Sequence, residues 1–430
     1  MKKQPGVHLN LNVRGLPLSA TLAINERSNE LIRQGKQVIK LGLGQSPFPV
    51  PQVVEDELKV NAHQKDYLPV SGLRALRSAV AQYHHRQGIA TSPDHILIGP
   101  GSKELMFILQ LVYYGDLVIP TPSWVSYAPQ AHIIGRHIHW LPTEEKYKWQ
   151  VTPDSIERLC EKDPDKPRLL ILNYPANPHG YSYQEKDLKA LARKLKKYKV
   201  LVLSDEIYGE LDYDGNHKSI AEFYPEGTII SSGLSKWCGA GGWRLGTFAF
   251  PSNLEWLMKA MATVASETYT STSAPIQYAA VRAFMGGLEI ERYLTNSRRI
   301  LKALATAIIT RMQTAGFDIA MPDGAFYIFP NFEPFRNSLA ERGISNSADL
   351  CERILEETGV AMLPGESFGR PNTELTTRIA FVDFDGAKAL MAAEQVPLDQ
   401  ELDEHFAIQY GGNCVLGIEK IIEWLEGDPS

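Results

Sequence analysis

The sequence is short of several things, and each shortage narrows what the chain can be. Only four cysteines occur among 430 residues: Cys160, Cys238, Cys351 and Cys414. No two stand at CxxC spacing, and their density is far below that of a disulfide scaffold. The reading is reduced thiols in an intracellular protein. No run of about 18 apolar residues exists, the length a membrane-crossing helix needs, so no membrane role is expected. The opening Met-Lys-Lys-Gln-Pro-Gly is followed by no apolar stretch before Arg14, which sets the expectation of a cytoplasmic location. Positive charge is not in excess either. Lys+Arg 44 against Asp+Glu 50 gives −6, leaving no basic face for a nucleic-acid backbone. Repeats and low-complexity tracts are absent too. What remains is 44% hydrophobic and 22% charged, ordinary for a folded globular chain with room for two or three domains.

Between about residues 92 and 250, short β-rich runs alternate with helical stretches. The runs are His95–Ile98, Leu117–Ile119, Leu169–Leu172, Val200–Leu203, Thr228–Ile230 and Thr247–Phe250. Near-continuous apolar runs suit strands buried on both faces, and intervening helices suit a mostly parallel sheet. One helix starts at Ser102, read as its cap, with Leu105, Ile108, Leu109 and Val112 on one face. Another spans Glu185–Tyr198. After about residue 290 a long helix (290–315) precedes an α+β pattern with strands at Phe326–Phe329, Val360–Leu363 and Arg378–Phe381. An amphipathic helix carrying Ile418, Ile421, Ile422 and Leu425 closes the chain. Residues 391–413 are polar and acidic and receive no assignment. The first 45 residues read as a helix and a short strand.

In open parallel sheets, ligands bind beyond the carboxyl ends of the strands. The notable polar residues fall there. Asn173 and Asn177 follow one run, Asp205 and Tyr208 the next, and Lys236 and Arg244 the one after. Gly101-Ser102-Lys103 opens a helix whose free N–H groups suit a phosphate. Taken singly, each has a plain explanation: a surface lysine, an N-cap aspartate, an Asn-Pro turn. Together they form an acid, an amine, an amide, a phenol and a guanidinium at one sheet edge. That is the set a pyridoxal phosphate site requires.

At this point the chain resembles a class I/II aminotransferase of the pyridoxal-phosphate fold type I group, nearest the bacterial aspartate/prephenate branch. The resemblance is carried, in order, by Gly44-Gln-Ser-Pro-Phe-Pro-Val-Pro51, Tyr67-Leu-Pro-Val-Ser-Gly-Leu-Arg74 and Gly101-Ser-Lys103. Pro122-Ser-Trp124-Val-Ser-Tyr127, Asn173-Tyr-Pro-Ala-Asn177-Pro-His-Gly180 and Ser204-Asp205-Glu-Ile-Tyr208 follow. Ser235 to Gly246 and Arg378-Ile-Ala-Phe381 complete it. It implies an α/β fold: a large domain (46–290) with a seven-stranded, mostly parallel sheet, and a smaller α+β domain from both ends (1–45 and 291–430). It also implies a homodimer acting on an amino acid and a 2-oxo acid, with pyridoxal 5'-phosphate as cofactor.

The residue roles are likewise what the resemblance implies. Lys236 would make the Schiff base and shuttle a proton, which needs a depressed pKa. Asp205 would pair with the pyridinium nitrogen, and Tyr208 and Asn177 would hydrogen-bond the phenolic oxygen. Trp124 would stack on the ring. Gly101, Ser102, Lys103 and Arg244 would line the phosphate corner, with Tyr67 arriving from the neighbouring subunit. Arg378 would grip the substrate α-carboxylate, beside Gly44 and Asn177. Two departures stand out. Gly233 replaces a phosphate-binding Ser, for which Ser232 or Ser235 would have to substitute, and His179 replaces a common Thr. Lys103 favours an acidic donor such as aspartate, passing its amino group to 2-oxoglutarate or a similar acceptor, because a buried carboxylate needs a partner. An aromatic or neutral donor, a β-lyase and an aminocyclopropane-carboxylate-type synthase stay open.

Rival readings are weaker. Gly365-Glu-Ser367-Phe-Gly369, with Asp383 and His405, satisfies a hydrolase motif, but Arg370-Pro-Asn follows where a helix is required. Gly42-Leu-Gly44 and Gly99-Pro-Gly101 lack the third glycine of a dinucleotide loop. His132, His137 and His139 have no carboxylate or Cys at ligand spacing. A non-catalytic cofactor-binding regulator would add a basic DNA-binding segment, for which residues 1–45 are too short.

Overall fold

The apolar runs of the middle region pair into one sheet of seven strands. In chain order they are β1 (Ile96–Gly99), β2 (Asp116–Thr121), β3 (Ile138–Pro142), β4 (Arg168–Asn173), β5 (Leu201–Asp205), β6 (Thr228–Gly233) and β7 (Gly246–Ala249). The computed structural model describes residues 8–427; the opening Met-Lys-Lys-Gln-Pro-Gly and residues 428–430 of the expected small domain lie outside them. The spatial order is β1-β7-β6-β5-β4-β2-β3. Only β7 runs against its neighbours; every other pair is parallel. Strands β1, β5, β6 and β7 are buried along their whole length, so both faces must be apolar or self-satisfied. Strand β3 is not among the apolar runs of the sequence. As the edge strand it exposes His139, Trp140 and Pro142 and keeps only Ile138 and Leu141 inside.

Helices cover both faces. Glu185–Lys197 buries Leu188, Leu191, Ala192 and Leu195, with acids in its first turn and lysines in its last, matching the helix dipole. The helix Ser102–Val112 buries Leu105, Met106, Ile108 and Leu109. Its start differs from the sequence reading. Gly101, at φ +91°, is the flanking residue, and Ser102 is the first helical residue with no side-chain cap bond.

Both chain ends build the remainder. Ile39–Lys40 pairs in parallel with Val360–Ala361. Leu363–Pro364, Thr377–Ala380 and Tyr327–Ile328 form a separate antiparallel sheet. The expected strand at 360–363 is therefore two, split at Met362. The 27-residue helix Leu288–Thr314 packs on Glu404–Glu426 and Gly386–Ala393. The unassigned stretch 391–413 contains the end of the latter helix, a loop, and the start of Glu404–Glu426, which Asp403 caps. Arg299 ties that loop down by donating to the carbonyls of Val396, Pro397 and Gln400 at 3.3, 2.9 and 2.6 Å. One apolar core is continuous from Ile96 and Ile98 to Val360 and Ile379, so the large sheet and the small ones share a core. Among the described residues no helix is long and apolar enough to cross a membrane.

Candidate active site

The strand ends converge on a cavity of about 440 Å³ lined by Ser102, Lys103, Trp124, Asn173, Asn177, Asp205, Ile207, Tyr208, Ser235, Lys236 and Arg244. Nearly every polar residue singled out in the middle of the sequence is here. The parallel register explains it: Asn173 lies opposite Asp205, and Asp205 opposite Ser231.

Lys236 opens onto this cavity, and its Nζ donates to the Gly44 carbonyl at 2.6 Å. Burial, and then the nearby Arg378, pull its pKa down to about 7 against the pull of Asp205. A charged ammonium is disfavoured when little water surrounds it and other cations do. The amine is thus available as a base near neutrality.

Asp205 is buried, which raises its carboxyl to about 6. Three donors counter the rise, chiefly the Tyr127 hydroxyl at 2.5 Å, then the Ile207 N–H and the Ser231 hydroxyl at 3.4 Å. Asn173 donates to the Asp205 carbonyl at 2.8 Å and accepts from the Asn177 N–H at 2.7 Å, locking β4's exit turn onto β5's. Glu206 turns the other way. It accepts from Ser219, Ser204 and His217 at 2.6, 2.7 and 3.0 Å.

A row of glycines shapes the corner beside Ser102. Gly246 pairs with Gly99 on one side and Gly233 on the other. A Cβ on Gly246 would stand 2.1 Å from the Ser102 nitrogen, and one on Gly101 would meet Arg244 Nη2 at 2.3 Å. At Gly233 a Cβ would come within 2.6 Å of the Leu245 carbonyl. That contact gives a physical reason for Gly where a Ser is common. Of the two serines considered as substitutes, Ser235 lines the cavity and Ser232 is buried within β6.

Arg378 lies on the strand Thr377–Ala380 and is almost wholly buried. Its Nη1 donates to Asn177 Oδ1 at 3.3 Å and its Nη2 to the Gly42 carbonyl, with the rings of Tyr327 and Phe368 on its faces at 4.9 and 5.2 Å. Its Nε is buried with no partner among the described residues. Tyr327, which the sequence places only within a strand, belongs to this cluster. Its hydroxyl is 2.8 Å from that of Tyr208 and 3.5 Å from the Gly44 carbonyl. A Cβ on Gly44 would sit 2.0 Å from that hydroxyl, so the glycine makes room for Tyr327.

Lys103 Nζ lies over the Trp124 ring at 4.9 Å, and burial followed by Arg244 lowers its pKa. Tyr67 is 89% exposed and lines no part of this cavity. His179 is buried, accepts from the Tyr181 N–H at 3.1 Å and stacks on its ring. The hydrolase set is not assembled. Ser367 sits in the single turn Gly365–Phe368, Asp383 accepts from the Lys40 N–H at 2.8 Å, and His405 lies in the first turn of the last helix. Tyr127 and Tyr327 are the residues that sequence reasoning misses. The first stands within a quoted motif without a role; the second has only its apolar setting in the sequence.

Comparison with known proteins identifies the family. Residues 36–394 match the family described as aminotransferase class I and II. The aspartate aminotransferase of Geobacillus stearothermophilus is 35% identical over 84% of this chain and 91% of its own length. The asparagine–oxo-acid transaminase of Streptococcus mutans is 30% identical over 84% and 92%. A solved structure, the aspartate aminotransferase from Thermus thermophilus with maleate, has a TM-score of 0.80 at 26% identity, covering 91% of this chain and 98% of that one.

Proposed function

Since the chain belongs to the class I and II aminotransferase family, whose members depend on pyridoxal phosphate, we propose that it moves the amino group of aspartate to a 2-oxo acid such as 2-oxoglutarate, in two alternating half-reactions. The observation that carries the donor assignment is the Lys103 ammonium, held over Trp124 in the same cavity as Lys236 and Asp205. Relatives named as aspartate aminotransferases support it.

The donor set fits the cofactor. The glycine cradle, where a Cβ would meet the Ser102 backbone at Gly246 and the Arg244 guanidinium at Gly101, leaves the Ser102 N–H and that guanidinium to hold a phosphate. Asp205 would face the pyridinium nitrogen, Asn177 and Tyr208 the phenolic oxygen, Trp124 the ring, and Lys236 the aldehyde. When bound, the cofactor supplies a carbonyl carbon for amines and a ring that accepts the electron pair left on the donor's Cα. The residues do the rest. Lys236 Nζ, its pKa drawn down to about 7 by burial, takes the donor's Cα proton and returns it two bonds away, on the far side of the amino nitrogen. Arg378 holds the α-carboxylate of donor and acceptor alike, its buried Nε–H serving as an unspent donor. Lys103 meets the side-chain carboxylate.

One observation favours a second, larger donor. A neighbouring cavity of about 710 Å³ shares Lys103 and Trp124 and is walled by Leu16, Leu18, Phe107, Trp140 and Phe368. Aromatic side chains fit such walls. We also assign the domains as 46–290 and 1–45 with 291–430, place the protein in the cytoplasm, and read exposed Tyr67 as reaching the phosphate corner of a second copy in a homodimer.

The donor is tested by mixing cofactor-loaded enzyme with aspartate, alanine or phenylalanine, without acceptor, and following the cofactor's absorbance. Aspartate should react fastest, and Lys103→Ala should slow aspartate about tenfold more than phenylalanine, the worth of one charge-assisted contact. Equal losses would sink the assignment.

A further inference from the structure

Tyr127 opens the helix Tyr127–Ile133 after the loop that leaves β2. Its ring is 1% exposed, lies within an apolar core and packs edge-on against Trp124 at 5.3 Å. Phenylalanine would satisfy those contacts equally, so the hydroxyl requires its own explanation. That hydroxyl donates to Asp205 Oδ2 at 2.5 Å, in the range of strong hydrogen bonds to a carboxylate. The Ser231 hydroxyl reaches the other oxygen only at 3.4 Å.

We infer that Tyr127 is a positioning residue for the reaction: its hydroxyl aims the Asp205 carboxylate and keeps it ionised opposite the cofactor's ring nitrogen, without itself touching reacting atoms. The inference rests on the cofactor reading above. The groups facing Asp205 are few. Glu206 and Tyr208 come from its own segment, Ser231 from β6, Lys236 from the loop after β6, and Tyr127 from the helix side. Glu206 is occupied by His217, Ser204 and Ser219 and cannot supply a proton to Asp205. Lys236 is held near neutrality and is only a partial counter-charge. Tyr127 is therefore the strongest fixed donor to a carboxylate that burial pushes toward its neutral form. Burial and Asp205 also drive the Tyr127 phenol well above its ordinary range, so it stays protonated and can only donate.

The sign follows. Without the hydroxyl, the Asp205 pKa rises above about 6, and the carboxylate is lost at a higher pH. Tyr127→Phe keeps the ring and its packing. Cofactor-free wild type and variant are titrated with pyridoxal phosphate from mildly acidic to neutral pH, and ¹⁵N NMR reads the protonation of the labelled ring nitrogen. The variant should bind about tenfold more weakly at neutral pH, its acid limb should move upward, and the nitrogen signal should shift toward the unprotonated form. Ser231→Ala should change binding less than threefold, in keeping with its longer contact. In an Asp205→Asn background, Tyr127→Phe should cost nothing further. Wild-type affinity, limb and nitrogen signal in Tyr127→Phe would overturn the inference, as would an equal cost in the Asp205→Asn background. Failure of the wild type to bind would instead overturn the cofactor reading, and this inference with it.

Discussion

Replacing Lys236 with Met should make the cofactor-free protein more stable, and the gain should depend on pH in a definite direction. The wild-type amine is held at about 7 in the fold, against 10.5 when free. At about 1.4 kcal/mol per tenfold, that gap is worth roughly 5 kcal/mol of destabilisation when the unfolded lysine is charged. Met has a similar length and no charge to desolvate. It forfeits the 2.6 Å hydrogen bond to the Gly44 carbonyl, worth about 1 kcal/mol, and cavity water screens part of the remainder. The net expectation at neutral pH is a gain of about 3 kcal/mol. Between about 7 and 10.5 the unfolded chain binds the proton that the folded chain has released, so wild-type stability rises with pH across that window. The Met variant has no such slope from this site. Thermal melts of both cofactor-free proteins should show the variant several degrees higher at pH 7 and the two converging near pH 10. A variant no more stable than wild type at pH 7, or an advantage that persists unchanged in alkali, would refute the claim that the fold holds this amine at a cost.

Two glycines provide further tests. Gly233→Ser, which introduces the serine common at this position, should cost about 1 to 3 kcal/mol because its Cβ meets the Leu245 carbonyl at 2.6 Å. Melting and cofactor titration check this; unchanged melting with tighter binding would contradict it. Gly44→Ala should displace the Tyr327 hydroxyl, 2.0 Å from the new Cβ, and disturb its contacts to Tyr208 and Gly44. A loss in kcat/KM of about tenfold or more is expected with every donor, since a disrupted hydrogen-bond network costs about 1.4 kcal/mol or more. A normal value would mean that the tyrosine pair is idle.

The large sheet was legible because its strands are short apolar runs buried on both faces, each ending in polar residues that parallel register must bring together. Asp205, Lys236 and Asn177 were readable for that reason. Edge strand β3 was not, since two of its central side chains, His139 and Trp140, face outward and blur the pattern. The strand at 360–363 read as one because a break at Met362 leaves no trace in hydrophobicity. Ser102 had the right chemistry for a cap, but Gly101's positive φ already makes the turn. Tyr127 and Tyr327 escaped because a buried tyrosine and a core aromatic look alike until a hydroxyl partner is seen. Their partners, Asp205 and Tyr208, are 78 and 119 residues away. The role of Gly44 depends on Tyr327 in the same way.

The central claim is that Lys236 carries the cofactor, and borohydride tests it most directly. The wild-type protein is incubated with pyridoxal phosphate, reduced, digested, and its peptides mapped by mass. The account predicts one stable phosphopyridoxyl group on the peptide containing Lys236, and its disappearance in Lys236→Ala. A wild-type protein labelled nowhere, or labelled on another lysine while Lys236 stays unmodified, would contradict it.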